Sequence, residues 1–300
     1  MSLMKFVTFE NAAGAQCVGL LDGERSVIDC RAVDPDFAGS MLEFIRAGEL
    51  GLDRARRINQ QAPESARLDL ASVQLLAPIP RPTKNVFCVG RNYKNHVDEG
   101  HRARGTQAAY PEAPQFFSKA PTAVIGPNAA TWHDPKVTQE YDYEAELGVV
   151  IGRGGKNISE NDALDAIFGY TIINDFTARD LQRQHDQWFK GKSLDRSCAM
   201  GPCIVHASAI ENPQDLAINL AVNGEQRQAS RTSHMIFSIP RIIRDLSLGM
   251  TLEPGDIIAT GTPQGVGFAM DPPQFLGDGD EVVITIEELG ELRNRVEQVS

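Results

Sequence analysis

The run at residues 141–152, YDYEAELGVVIG, constrains this chain more than any other stretch. Its second half is apolar and β-branched, and Gly152, Gly154 and Gly155 punctuate its end, so it is expected to form a strand over 143–151. Side chains alternate faces along a strand, which puts Glu144 and Glu146 on one face with Cα atoms roughly 6.5–7 Å apart. Two carboxylates running into the apolar stretch Leu147-Gly148-Val149-Val150-Ile151 would repel and desolvate one another without a cation between them. A solvated strand face that happens to carry two acids is the plainer alternative.

A third acid ends a second apolar strand, Gly169-Tyr170-Thr171-Ile172-Ile173-Asn174-Asp175. Asp175 is either a polar turn residue or the third ligand. Three carboxylates without a nearby His or Cys would select a hard divalent ion, with Mg2+ as the default and Mn2+ or Ca2+ as alternatives. After Asp175, residues 177–190 are expected to be helical, with Thr177 and Asp180 forming a capping box. Arg179 and Gln182, three apart, would share a face of that helix and could address a carboxylate. Lys192, between Gly191 and Ser193, suggests a tight loop near a ligand, but the GxxxxGK[ST] pattern of a phosphate loop is missing. His96 and Glu99 would be neighbours on a helical turn, where the acid can hold the imidazole for base chemistry. The glycine-punctuated stretch at 260–267 follows a strand at 256–260 and would let backbone N–H groups approach an anion.

Further strands are expected at 86–90, 122–126, 166–174, 202–206, 216–222 and 281–287, and a helix at 238–248. Residues 4–30 should form short strands with an Asp22-Gly23 hairpin turn, and 40–60 a helix capped by Ser40 and interrupted near Gly48 and Gly51. Pro78, Pro80 and Pro82 forbid helix and favour an extended connector. The division expected there is a small N-terminal domain at 1–76 and a catalytic domain at 77–300. Asn223-Gly224 and Glu288-Leu289-Gly290 are turn signals.

A net charge of −11 argues against a nucleic-acid partner, and no basic run suggests a membrane surface. No apolar run nears the ~20 residues of a membrane span, and no signal-peptide pattern opens the chain. The opening Met1-Ser2-Leu3 reads as an added leader, with Met4 as the natural start. Five cysteines without CxxC spacing read as reduced, mostly buried thiols, and a cytoplasmic location is expected.

In order along the chain, GRNYKNHVDE (90–99), FFSKAP (116–121), DYEAELGVVIG (142–152), GYTIINDFTARDLQ (169–182), GKS (191–193), VNGEQRQ (222–228), MIFSIPRII (235–243), LEPGDIIATGTPQGVG (252–267) and DGDEVVITIEELGELRNRV (278–296) resemble the fumarylacetoacetate hydrolase family. The resemblance covers about residues 75–300, and the stretch before it looks like the variable N-terminal domain of longer bacterial members. It implies a mainly β, α+β fold, a mixed β-sandwich roll that is usually dimeric. It further implies Glu144, Glu146 and Asp175 as ligands of Mg2+ or Mn2+, and Arg91, Arg179, Gln182 and Thr262 as substrate contacts. Lys192 would sit beside the reacting oxygen, and His96 with Glu99 would form a dyad that activates water. The largest members carry a further aspartate ligand that the stretch around Val89 lacks, so the match is to the three-carboxylate, acylpyruvase-like branch. Leu194 stands after GKS where Phe is common.

The expected substrate is a small acidic 2-oxo or 2,4-dioxo acid, and the expected reaction is metal-dependent hydrolysis of a C–C bond in an acylpyruvate or fumarylpyruvate. Decarboxylation of oxaloacetate and isomerisation or tautomerisation of a 2-oxo-ene-dioate, as in aromatic catabolism, use the same site and are the alternatives. A catalytically silent oxo-acid-binding protein is the alternative of another class.

Overall fold

Two apolar runs set the architecture by pairing with each other. In the computed structural model, which describes residues 4–299, strand Ala145–Ile151 lies antiparallel to Ile167–Asp175, with Ala145 opposite Asn174 and Val149 opposite Tyr170. Every residue of both strands is buried. A strand covered on both faces has no polar side to show, which is why these segments read as continuous apolar runs. Around them grows a twelve-stranded sheet. From one edge its order is Arg67–Asp69, Ser26–Asp29, Gln16–Asp22, Lys5–Glu10, Cys198–His206, Ile167–Asp175, Ala145–Ile151, Ile257–Ala259, Val86–Gly90 and Gln115–Lys119, while Gln74–Leu76 and Val124–Ile125 pair off this path.

A second sheet of five strands packs on one face: Glu225–Arg231, Ala217–Val222, Glu281–Ile286, Gly290–Gln298 and Ala130–His133. Leu147, Val149 and Ile151 meet Ile218, Leu220, Val282, Ile284 and Leu292 in the core between the sheets. Val150, one residue out of phase, joins the core on the opposite face with Phe6, Phe44, Phe168 and Ile204. The helices Met41–Arg46 and Gly48–Gln61 cover that face. Phe44 sits 4.7 Å from Phe6 and 5.6 Å from Phe168 between ring centroids, pairs worth about 0.5–1.5 kcal/mol each beyond the area they bury. The fold is the mainly stranded α+β arrangement expected.

Ser40 caps the first of these helices by accepting from the Glu43 N–H. The interruption falls at Ala47 and Gly48, and the second helix runs on through Gly51. Residues 77–85, with the three prolines, contain no helix or strand, as expected of a connector. The N-terminal strands nevertheless share a sheet with the rest, because Lys5 and Phe6 pair with Val205 and Ile204. The opening Met1-Ser2-Leu3 lies outside the described residues. All five cysteines are free and buried.

Three expectations are corrected here. The strand predicted from residue 143 starts at Ala145, and Tyr141–Asp142 turns away to pair with Thr177–Ala178. The helix predicted over 177–190 is broken into strand Thr177–Ala178 and helices Arg179–Gln184 and Phe189–Lys192. Gly191 explains the break: a Cβ there would come within 2.8 Å of the Ala178 carbonyl and the Gln182 backbone, so the two short helices touch main chain to main chain. No capping box forms. Ala178 holds the cap position, Thr177 donates to the Asp175 carbonyl, and Asp180 accepts from the Thr138 hydroxyl and the Gln139 N–H.

Candidate functional site

The strand register brings the three acids together. Asp175 lies opposite Glu144, its N–H donating to the Glu144 carbonyl at 2.9 Å, and Glu146 follows two residues along on the same face. One carboxylate oxygen from each of Glu144, Glu146 and Asp175 lies within 4.8 Å of the others, and all three residues are buried. Oxygens on opposite sides of a hard cation, each at roughly 2.0–2.6 Å, stand about 4–5 Å apart, so the cluster could hold one such ion.

The three acids are compensated unequally. Lys192 Nζ donates to Glu144 Oε2 and to Asp175 Oδ2, each at 2.8 Å. Arg179 Nη1 reaches Glu144 Oε1 at 2.6 Å. Burial pushes the Glu144 carboxyl up, but the Lys192 and Arg179 charges outweigh it and hold the group at about 2. Glu146 makes no ion pair among the described residues and accepts one bond, from the Gly261 N–H at 2.7 Å. Burial, followed by repulsion from Asp175 and Glu144, lifts its carboxyl well above the usual range. A buried carboxylate without a counter-charge beside two other acids is what a divalent cation would relieve. The all-oxygen donor set fits such an ion.

Two further residues hold the cluster in place and were not singled out from the sequence. Lys119, fully buried, donates to Asp175 Oδ1 at 2.6 Å, to the Phe176 carbonyl at 3.0 Å and to the Lys192 carbonyl. It ties the third acid to the backbone of the lysine that also contacts it. Asp142, also fully buried, accepts from Arg179 Nε at 2.9 Å and from the N–H groups of Gly267 and Phe268. Its signal was present in the alternation of Asp142, Glu144 and Glu146. Asp142 serves the arginine, however, and stands apart from the carboxylate cluster.

The 260–267 loop does approach anions with its N–H groups, and those anions are the protein's own side chains. Gly261 holds Glu146, Gly267 holds Asp142, and Gly265 donates to Glu99 Oε2 at 2.7 Å. Gly261 and Gly265 have φ of +100° and +103°, where a side chain would be strained. Glu99 in turn meets His96 Nδ1 through Oε1 at 2.9 Å, on helix Lys94–Ala103. With Nδ1–H donated to Glu99, His96 Nε2 is left as an acceptor.

Glu144, Glu146, His96, Arg91, Arg179, Gln182, Lys192 and Thr262 line one cleft of about 190 Å³, joined by Arg104, Phe117, Trp188 and Phe268. Asp175 lies beneath it and Glu99 behind His96. Arg179 and Gln182 share a face as expected, with Arg179 Nη1 3.2 Å from Gln182 Oε1. Lys192 ends a short helix where a loop was expected. Thr262 Oγ1 accepts from Gln228, leaving its own proton to donate. Arg91, at φ +57°, donates to the Ala109 carbonyl at 2.6 Å and to His101 Nε2.

A β-roll with an acidic floor suited to a hard divalent cation, under a cleft lined by His, Lys and Arg, defines the class. Comparison with known proteins supplies the family. The fumarylacetoacetate (FAA) hydrolase C-terminal family model matches residues 85–297. Oxaloacetate tautomerase YisK of Bacillus subtilis is 45% identical to this chain, covering 98% of it and 100% of that protein. Among solved structures, fumarylacetoacetate hydrolase from Exiguobacterium antarcticum is similar at a TM-score of 0.81 and 39% identity, covering 99% of this chain and 100% of that one. Maleylpyruvate hydrolase from Sphingobium sp. SYK-6, in complex with manganese(II) and pyruvate, is similar at a TM-score of 0.78 and 31% identity, with the same coverage. The chain belongs to the fumarylacetoacetate hydrolase family, a family of enzymes. Among the described residues, no helix is long and apolar enough to cross a membrane.

Proposed function

We propose that this chain is a divalent-metal-dependent tautomerase of a small 2-oxo dicarboxylic acid of the oxaloacetate type. The observation that carries the proposal is the buried, uncompensated Glu146, set with Glu144 and Asp175 under a cleft that also holds a base. The name of the B. subtilis relative, which this chain matches end to end, supports the choice of reaction. So does the cleft volume of about 190 Å³, below the ~300 Å³ at which sites for drug-sized ligands begin.

Glu144, Glu146 and Asp175 would hold Mg2+, or Mn2+ or Ca2+ in its place, and that ion would supply Lewis acidity toward a 2-oxo acid. Arg179, Gln182 and Thr262 bind the carboxylate beside the oxo group, and Arg91 borders the cleft farther out. Glu99 fixes the His96 ring, and Nε2 takes a proton from C3. Lys192 Nζ donates to the C2 oxygen as negative charge gathers there, and that oxygen ends protonated in the enol; His96 gives its proton up to solvent and Lys192 regains one, which restores both groups. No water is consumed in the reaction. The same residues run the reverse step.

C–C hydrolysis of an acylpyruvate, first choice from the sequence, becomes the second reading. The His96–Glu99 pair favours it, since this arrangement also serves to activate water. Decarboxylation of oxaloacetate remains a third outcome at the same residues. We also propose a homodimer, to be checked by light scattering, and a catalytic unit at 77–300 carrying an appended segment at 1–76.

Stopped-flow ketonisation of enol-oxaloacetate with Mg2+ tests the reaction. Acceleration that vanishes with chelator and in Glu146→Gln is expected. Efficient acylpyruvate cleavage without any effect on ketonisation would exchange the first reading for the second.

A further inference from the structure

The outer half of the cleft holds positive charge that has no acid partner among the described residues. Arg183 beside it pairs with Glu140, and Arg179 with Asp142 and Glu144. Arg179 Nη2 still lacks a partner although the residue is only 3% exposed. Arg91 reaches only an imidazole and a carbonyl, and its Nε is buried without a partner. Arg104 has no acid partner and no side-chain hydrogen bond among the described residues. A chain with net charge −11 has acids to spare, yet the only ones lining this cleft are Glu144 and Glu146 at its floor.

Arg104 is turned inward by the helix before it. A Cβ built on Gly100 would lie 3.1 Å from Arg104 Nη2, so the guanidinium folds back over the one residue of that turn without a side chain. Gly100 is buried, lines the cleft and lies within helix Lys94–Ala103, where glycine is less favourable than alanine. The gap it leaves admits the guanidinium to the cleft wall. Desolvation, then the charges of Arg91, Arg179 and Arg183, lower the Arg104 pKa, and an anion placed there would relieve both.

We propose that Arg104 selects a dicarboxylic acid by receiving the carboxylate farthest from the acidic floor. The inference rests on the proposed substrate class and adds the residue that discriminates within it. Arg179, tied to Asp142 and Glu144, is left to serve the carboxylate next to the oxo group. Arg104 is free to form a two-pronged bond to the other end, for which a planar guanidinium is suited.

Malate and lactate test this without turnover, because they share a 2-hydroxy acid and differ by the distal carboxylate. Titration calorimetry on Mg2+-loaded protein should find malate bound at least about tenfold more tightly than lactate, the scale of one charge-assisted hydrogen bond at a partly exposed site. Arg104→Ala should abolish that preference and leave lactate affinity unchanged, and Arg104→Lys should restore part of it. With enol-oxaloacetate as substrate, Arg104→Ala should raise KM about tenfold and leave kcat within twofold. If the unaltered protein shows no preference for malate, or if Arg104→Ala keeps the preference or weakens both ligands equally, Arg104 has no selective role. Failure of ketonisation with an Arg104-dependent malate preference would instead count against the tautomerase alone.

Discussion

The floor and the rim of the cleft solve opposite problems. On the floor, Glu144, Glu146, Asp175, Lys119 and Lys192 are at most 5% exposed, and all but Glu146 are matched to a charge of opposite sign. On the rim, Arg104 and the loop after it are exposed, and guanidinium groups stand without acid partners. The difference fits what each is proposed to recognise. A cation tolerates errors of only a few tenths of an ångström in its oxygens, so its ligands must be fixed before it arrives. A flexible acid can be met by side chains that adjust, and a cation kept partly in water costs little until it is used. Fixed geometry therefore sits mostly on strands and their ends, and the proposed selectivity at a helix end.

The largest effect should come from the floor. Glu146→Gln or Asp175→Asn should lower kcat/KM by more than about 10³ and weaken Mg2+ beyond the 10–100-fold typical of losing an outer-shell partner, as read by calorimetry. Lys119→Met should cost about 3–5 kcal/mol of stability in urea unfolding, because Asp175 would lose a counter-charge in a fully buried place. A loss under 1 kcal/mol would show the floor to be less rigid than described. On the rim, His96→Ala should lower kcat by about 10²–10³ while Mg2+ affinity and melting temperature stay put. A fall in metal affinity there would erase the division between the two regions.

Acidity sharpens the same contrast. The Glu146 carboxyl is raised in the folded, metal-free protein, so the stability it contributes is fully present below the ordinary carboxylate range and is lost as pH rises through its folded pKa. A metal must displace that proton. Mg2+ affinity should therefore rise with pH, with up to one proton released on binding, measurable by calorimetry in buffers of different ionisation heat. The smallest effect belongs to Asp180, partly exposed, where removal of its bonds to Thr138 and Gln139 by Asp180→Ala should cost about 1 kcal/mol in thermal unfolding.

Much of the floor was legible in the sequence, and less of its support. The paired apolar strands, the spacing of Glu144 and Glu146, and the His96–Glu99 pair are local patterns that a chain displays openly. Lys119 meets Asp175 across 56 residues and Asp142 meets Gly267 across 125, and no short window records such meetings. Strands Gln115–Lys119, Ala130–His133, Glu225–Arg231 and Gly290–Gln298 escaped notice because they lie toward sheet edges and keep many exposed or half-buried residues. The false helix at 177–190 arose because helix-forming residues there yield to the backbone contact over Gly191. The glycine loop was rightly read as an anion holder, but one sequence could not say that the anions were internal.

That loop carries a consequence for how the molecule can change. One short peptide simultaneously grips a floor acid, the carboxylate behind the histidine and the aspartate that steadies Arg179. Inserting or deleting a single residue within 261–267 would throw three working parts out of alignment at one stroke. The segment at 104–114 carries a lighter obligation, receiving Arg91 at the Ala109 carbonyl. New substrates should thus be reached by redrafting the latter, while the former stays as it is.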